Sequence, residues 1–317
     1  MIDVDYRFGA ESTASEVLSN VDLSGRLIVL TGATAGIGVA TARALTAAGA
    51  DLVIGARNPA KLETLLGELH ETGATGSLHG FPLDLMSFDS VDAFADQVLD
   101  LHRPIDILIN NAGIIGQFRR NAEGIESQLM TNFVGHALLT SRLAGALKQA
   151  DNARLVSLTS FGHHYSPVIF DDLNFENRPY TAWQGYGQSK TACVLLAVQV
   201  STVLGIDAFA VHPGAIWTGL GDDLVPGDLA LAEARGSVPA PEEFKTPEQG
   251  AATTVWAATE AQLSGLGPLY LEDCRIAKTR EQPDHRTGVM SYALAPENAA
   301  RLWAATERLI GRSLPLQ

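Results

Sequence analysis

The sequence predicts a doubly wound α/β fold, a parallel sheet with helices on both faces. Two patterns carry that expectation. Short apolar runs rich in Val, Ile and Leu recur at residues 27–30, 52–54, 105–109, 155–158, 208–211 and 269–271, without polar alternation. Strands buried on both faces read this way, whereas half-solvated antiparallel strands alternate. Longer amphipathic stretches lie between them, at residues 37–48, 59–70, 91–101, 125–148 and 187–204. Strand–helix alternation repeated this often builds a parallel sheet through crossovers.

Each element leads into the next without a charged or Ser/Gly-rich linker, so a single domain over residues 25–317 is expected. Residues 1–24 read as a short N-terminal adapter, with Ser12 as a helix cap. Two segments break the rhythm: 161–185 is longer than a tight connection needs, and 219–244 is rich in Gly, Pro, Asp and Glu, a loop or loosely helical flap. Both follow strand C-terminal ends, where open α/β sheets bind ligands.

Composition excludes several function classes. Lys and Arg number 22 against 36 Asp and Glu, a net charge of −14. Such a surface repels nucleic-acid phosphates and anionic lipid headgroups. Cys193 and Cys274 are the only cysteines and have no metal-ligand or disulfide-framework spacing around them. The chain begins MIDVDYRF, acidic where a secretion signal is basic, and no apolar run approaches a membrane span. A cytoplasmic protein is expected.

Chemistry begins at the end of the first strand, with Thr31-Gly32-Ala33-Thr34-Ala35-Gly36-Ile37-Gly38 leading into an Ala-rich helix. Glycines there let the backbone turn sharply and approach a pyrophosphate, and the helix N-terminus supplies N–H donors. Glycine turns without a nucleotide are common, but after the first strand of an α/β pattern this one points to a dinucleotide. Further along, Tyr186 and Lys190 stand four apart on one helix face. That pair alone is also an ordinary solvated surface pair. A free tyrosine titrates near 10 and is a poor base, and an adjacent ammonium stabilises its phenolate.

The spacing Gly-x-x-x-Gly-x-Gly after a threonine resembles the short-chain dehydrogenase/reductase family, and further landmarks follow in order. They are Asn110-Asn111-Ala112-Gly113 after a strand, Asn132 in the next helix, Ser160 at a strand end, Tyr186-Gly187-Gln188-Ser189-Lys190, and His212-Pro213-Gly214. The resemblance runs from about residue 23 to 311. It implies a Rossmann-fold enzyme in which Tyr186 is the general acid/base and Lys190 lowers its pKa and binds the nicotinamide ribose. Ser160 hydrogen-bonds the substrate oxygen, and Asn132 helps hold a proton-relay water. Gly32, Thr34, Ala35, Gly36, Ile37 and Gly38 cradle the pyrophosphate, and Asn111, Ala112 and Gly113 line the adenine-ribose side. Asp84 matches the position that bonds adenine, and Pro213, Gly214 and Thr218 grip the carboxamide. Ser157 falls within a strand and does not align.

Cofactor choice is read at the end of the second strand, Ile54-Gly55-Ala56-Arg57. An acidic residue there bonds the ribose hydroxyls and repels a 2′-phosphate. Ala56 and Arg57 remove that repulsion and offer a guanidinium, so NADP(H) is expected over NAD(H). The neutral Thr34 and Ala35 depart from relatives with a second basic residue in the turn.

Asp172-Leu173-Asn174-Phe175, Tyr270-Leu271-Glu272-Asp273-Cys274 and Leu302-Trp303 make the chain similar to the retinol-dehydrogenase and WW-domain-oxidoreductase-like branch. That branch implies a lipophilic alcohol or carbonyl substrate, and the family implies a homo-oligomer as a default. His163-His164 read as substrate rim rather than a metal site, and Cys193 as a buried helix residue. Trp183, Trp217, Phe170, Phe175 and Tyr165 serve either as loop anchors or as pocket walls. Three other readings stand beside the main one. They are reduction of a C=C or C=N bond with the same residues, a non-catalytic dinucleotide-binding regulator, and an epimerase or dehydratase. The last uses a different glycine spacing, and a regulator of this kind has usually lost the Tyr/Lys pair.

Overall fold

The computed structural model describes residues 4–216, 219–236, 238, 240–283 and 287–317. Seven parallel strands form the central sheet: β1 (Leu27–Thr31), β2 (Asp51–Ala56), β3 (Leu78–Pro82), β4 (Ile107–Asn110), β5 (Arg154–Leu158), β6 (Asp207–His212) and β7 (Leu269–Glu272). Their spatial order is β3-β2-β1-β4-β5-β6-β7, and a two-residue β8 (Arg275–Ile276) joins β7 antiparallel at the edge. The order reverses between β1 and β4, which opens a crevice beyond the strand C-terminal ends.

Successive side chains of a strand go to opposite faces. Leu27 and Val29 of β1, Leu108 and Leu155 pack on one face with Phe94, Phe133, Leu139 and Leu195. Ile28 and Leu30, with Ile54, Ile109 and Val156, pack on the other with Leu45, Leu65, Val255 and Trp256. Both faces of the sheet are therefore covered, as unalternating apolar strands require.

Helices begin where their caps stand. Asn58 accepts from Lys61 N ahead of Pro59–Glu71, Ser87 from Ser90 N ahead of Phe88–Leu99, and Thr181 from Gln184 N ahead of Ala182–Leu204. The last helix therefore starts five residues before the expected position 187, and Tyr186 lies in its second turn. The N-terminal turn Ala14–Val17 is capped by Thr13, in a reciprocal box with Glu16, and not by Ser12. Ser12 Oγ instead accepts from Gly9 N. Val4, Ala14, Val17 and Leu18 are buried in the same core as Val255 and Trp256 of the Pro247–Thr259 helix.

The expected helix over 125–148 is three pieces: a turn at Ser127–Leu129, a π-helical segment Met130–Val134, and an α-helix Gly135–Lys148. Strand β3 has no counterpart in the sequence reading. It is an edge strand whose residues are only partly buried, and its Pro82 needs no donor in the ladder. Segment 219–244 contains a formed helix, Pro226–Ala234. Both cysteines are buried and free.

Candidate active site

The glycine turn is shaped by close approach. Gly32 has φ +71, and a Cβ there would lie 2.7 Å from the Ala112 Cα. A Cβ on Gly38 would lie 2.2 Å from the Gly32 carbonyl oxygen, so both glycines are demanded by packing. The helix Gly36–Ala47 follows, with Ala35 as an N-cap that supplies no side-chain acceptor. Its first N–H groups are thus left for a ligand at the positive end of the helix dipole. Thr34, Ala35 and Ile37 border this end, none of them buried.

Asn111 and Ala112 are stitched to the turn. Their N–H groups donate to Thr31 Oγ1 at 3.0 and 3.1 Å, and Asn111 Nδ2 donates to the carbonyls of Thr31 and Gly32. Two more expected residues follow strand ends on the same side of the sheet. Arg57 comes directly after β2. It is exposed and makes no hydrogen bond or ion pair with any described residue. Asp84 lies just past β3, partly buried, and its carboxylate accepts from Met86 N at 2.9 Å.

The helix Ala182–Leu204 is buried along most of its length and presents Tyr186 and Lys190 to the crevice, 6% and 4% exposed. Lys190 Nζ lies 5.6 Å from the Tyr186 ring centroid and donates to the Leu158 carbonyl at 3.1 Å. Two glycines show how the side chains converge. Around the position a Gly162 Cβ would take lie Tyr186 Cε1 at 2.6 Å and Ser160 Oγ at 3.4 Å. Around that of Gly113 lie Lys190 Nζ at 3.2 Å and Asn132 Oδ1 at 3.3 Å. Ser160 Oγ accepts from Gly162 N at 3.0 Å, which leaves its own proton available. The Tyr186 hydroxyl bonds to no described residue. Ser157 donates to the Cys193 carbonyl inside the sheet–helix interface, away from this cluster.

Asn132 occupies the π-helical segment, a distortion that recurs at functional sites. Its amide clamps Ile114 on both sides, accepting from Ile114 N at 2.8 Å and donating to Ile114 O at 3.0 Å, and also donates to Ser189 Oγ at 2.9 Å. Beyond β6, Pro213 is buried and Gly214 adopts φ +98, a left-handed conformation that favours glycine. Thr218 and Trp217 lie outside the described residues.

Sequence reasoning missed several residues that shape this region. Lys245 lies against Gly214, its Cδ 2.8 Å from where a Cβ would stand, and pairs with Asp273. Its signal was hidden because it comes from the far end of the flap. His163, expected at the substrate rim, is fully buried: its Nδ1 contacts the Ser160 carbonyl at 2.8 Å and its Nε2 accepts from Met290 N. Burial pushes its pKa down to about 3. Glu126, also fully buried, accepts from Gln128 N, Leu129 N and the Tyr180 hydroxyl, which ties segment 161–185 to the helix opposite. Burial raises its carboxyl despite those donors.

The contacts of Phe175, Tyr165 and Trp183 are those of loop anchors. Phe175 is buried and packs on Tyr180. Tyr165 stacks on Trp183 with centroids 5.0 Å apart, and Trp183 Nε1 donates to the Asp228 carbonyl of the flap helix. Leu220, Val225, Leu229 and Val238 of the flap are exposed, as is Phe118, and Gly116 lies against Asp223 of the flap. Among the described residues no group of His, Cys, Asp and Glu is arranged to hold a metal ion, and no helix is long and apolar enough to cross a membrane.

The fold and this arrangement define an oxidoreductase class, and comparison with known proteins agrees. The family model for short chain dehydrogenases matches residues 26–228, and the chain belongs to that family. A Streptomyces lividans protein named "probable oxidoreductase" is 42% identical over 291 residues, covering 89% of this chain and 97% of its own. The WW domain-containing oxidoreductase of Gallus gallus is 30% identical over 321 residues, 97% of this chain and 73% of its own. Among solved structures, an uncharacterized protein of Mycobacterium paratuberculosis superimposes with a TM-score of 0.70 at 30% identity, covering 96% of this chain and all of that one.

Proposed function

We propose that the chain is an NADP(H)-dependent oxidoreductase acting on a carbonyl or alcohol carbon of a bulky apolar substrate. The observation that carries this reading is the convergence of Tyr186 with Ser160 at Gly162, and of Lys190 with Asn132 at Gly113. Gly113 follows β4 and Ser160 follows β5, at the strand C-terminal ends where an open α/β sheet binds its ligand.

The residues fit a dinucleotide. The uncapped N-terminus of Gly36–Ala47 offers N–H groups to a pyrophosphate, and the unpartnered Arg57 guanidinium is available to a 2′-phosphate. Asp84, Asn111, Ala112 and Gly113 border the adenosine half, with Pro213 and Gly214 at the nicotinamide end. When bound, the nicotinamide supplies or accepts the hydride. The chain's own groups handle the proton and the oxygen. Ser160 donates its free hydroxyl proton to the substrate oxygen. Tyr186 gives that oxygen a proton during reduction, or takes one during oxidation. The Lys190 ammonium, fixed on the Leu158 carbonyl, stabilises the negative charge that develops on the Tyr186 oxygen and keeps two donors for a ribose. Asn132 holds the loop at Ile114 through its side-chain amide. The exposed apolar side chains Leu220, Val225 and Leu229 of the flap, with Phe118, support a lipophilic substrate.

The test is oxidation of NADPH and NADH with a panel of lipophilic ketones and aldehydes, comparing the wild type with Tyr186→Phe. NADPH-dependent alcohol formation that the variant lacks is expected. Preference for NADH, or activity retained without the phenol, overturns the reading.

A further inference from the structure

His136 belongs to none of the roles assigned so far, yet it sits between both halves of the site. It is 1% exposed, in the first turn of Gly135–Lys148. Its Nε2 lies 2.9 Å from Thr31 Oγ1 at the end of β1, and its Nδ1 lies 3.0 Å from the Asn132 carbonyl oxygen. The surrounding groups determine where the protons are. Thr31 Oγ1 already accepts from two backbone donors, Asn111 N and Ala112 N. A hydroxyl oxygen has two lone pairs and one proton. Both lone pairs are taken, so the Thr31 proton points at His136, and Nε2 must accept it. The ring proton is therefore on Nδ1, where the Asn132 carbonyl accepts it.

We propose that His136 is a positioning residue: a neutral, Nδ1-protonated imidazole that couples the glycine turn to Asn132, so that dinucleotide affinity and the geometry around Tyr186 and Lys190 are set together. The proposal rests on the dinucleotide reading given above. The strut continues beyond Asn132. The same carbonyl accepts from Cys193 Sγ at 3.1 Å, and the Asn132 amide donates to Ser189 Oγ, so the helix carrying Tyr186 and Lys190 is held on both sides of Lys190. Burial, and after it the Lys190 charge, push the His136 pKa down to about 4, in keeping with a neutral ring. A proton cannot travel along this chain, because it ends at two amide donors. The imidazole positions and does not relay.

Two substitutions separate its ends. The Oε1 of His136→Gln replaces Nε2 as acceptor for Thr31 but loses the donor to Asn132. The Nδ2 of His136→Asn keeps that donor but no longer reaches Thr31. Losing one buried hydrogen bond is a change of about tenfold. H136N is expected to weaken NADP(H) binding about tenfold, measured by cofactor fluorescence, with kcat at saturating cofactor within about twofold. H136Q is expected to keep the dissociation constant within about twofold and lower kcat about tenfold. Independently of activity, the 15N spectrum of the ligand-free wild type should show a protonated Nδ1 and an unprotonated Nε2. An Nε2-protonated tautomer overturns the proposal, as do variants that lose affinity and turnover equally or shift only the melting temperature. If either variant fails to fold, the wild-type tautomer alone decides. A wild type that binds no dinucleotide overturns the functional reading and the coupling with it, while leaving the tautomer assignment separately measurable.

Discussion

Replacing Gly162 with Ala puts a single methyl group against the proposed general acid, and the structure sets the size of the effect. The added Cβ would stand 2.6 Å from Cε1 and 2.7 Å from Cδ1 of Tyr186, and 3.4 Å from Ser160 Oγ. Carbon atoms rest about 3.5–4.0 Å apart, so the ring must retreat by roughly 1 Å. Backbone strain plays no part, because Gly162 is not among the positive-φ glycines. Tyr186 has little room to retreat, being 6% exposed with Trp183 edge-on at 6.3 Å. A misplacement of about 1 Å at a reacting group costs on the order of 100-fold in rate, about 2.7 kcal/mol of barrier. Overpacking should also cost about 1–3 kcal/mol of stability. Steady-state kinetics on a substrate the wild type reduces, together with cofactor titration, gives the answer. A fall of about 100-fold in kcat with the cofactor dissociation constant within about twofold is expected. Gly67→Ala is the control, since a Cβ there meets nothing within 4 Å, and it should leave kinetics unchanged. A Gly162→Ala enzyme with kcat within about threefold of wild type refutes the assigned position of Tyr186 in the chemistry.

Four further outcomes are expected. Tyr186→Phe keeps the ring packing and removes the proton, so turnover should fall at least about 100-fold with cofactor affinity nearly intact, and Lys190→Ala should damage both. Arg57→Ala should weaken NADP(H) binding by roughly 10- to 100-fold, from a charged hydrogen bond of about 1.5–3 kcal/mol, and leave NAD(H) nearly unaffected; equal losses in titrations of the two cofactors refute the phosphate contact. The flap around Pro226–Ala234 should exchange amide hydrogens faster than the sheet, and more slowly once cofactor and substrate bind; equal rates in both states refute a closing flap. Acid should destabilise the protein through two buried histidines: burial pushes His136 down to about 4 and His163 to about 3, so the unfolded chain takes up protons first as pH falls below about 6.5. Each then costs about 2 kcal/mol by pH 5, partly offset by the burial-raised carboxyls of Glu126 and Glu272, and a denaturant midpoint unchanged between pH 7 and pH 5 contradicts this.

The proposed cofactor half of the site could be named from the sequence because its determinants are local. Gly32, Gly36 and Gly38 lie within one turn and Tyr186 and Lys190 within another, so each group declares itself in a few consecutive residues. The interior strands were legible for a similar reason, since burial on both faces leaves an unbroken apolar run. Strand β3 escaped because an edge strand with Gly80 and Pro82 has no such run. The helix Pro247–Thr259 escaped because it is buried nearly all round, so its Ala- and Thr-rich sequence has no polar stripe to set the period. The π-helical segment at Met130–Val134 has no sequence signature at all, because it is a tertiary adjustment that brings Asn132 onto Ile114 and Ser189.

The substrate half follows a different logic, which explains why its residues were harder to name. His163 joins Ser160 to Met290, Glu126 joins Tyr180 across 54 residues, and Lys245 brings Asp273 to the back of Gly214. Apart from His163 and Ser160, these partners are far apart in sequence, and the contacts hold the segments that connect the main strands and helices. A loop held by long-range polar contacts can be rebuilt by changing those contacts while the glycine turn and the Tyr186–Lys190 helix stay fixed. The division predicts where substitutions act. Changes at Glu126, Tyr180 or Trp183 should move substrate preference with cofactor affinity preserved, because the Glu126–Tyr180 and Trp183–Asp228 contacts anchor segments 161–185 and 219–244. Changes at Thr31, Asn111 or Asn132 should move both together, because the hydrogen bonds from the glycine turn through His136 to Ser189 join the two halves at that point.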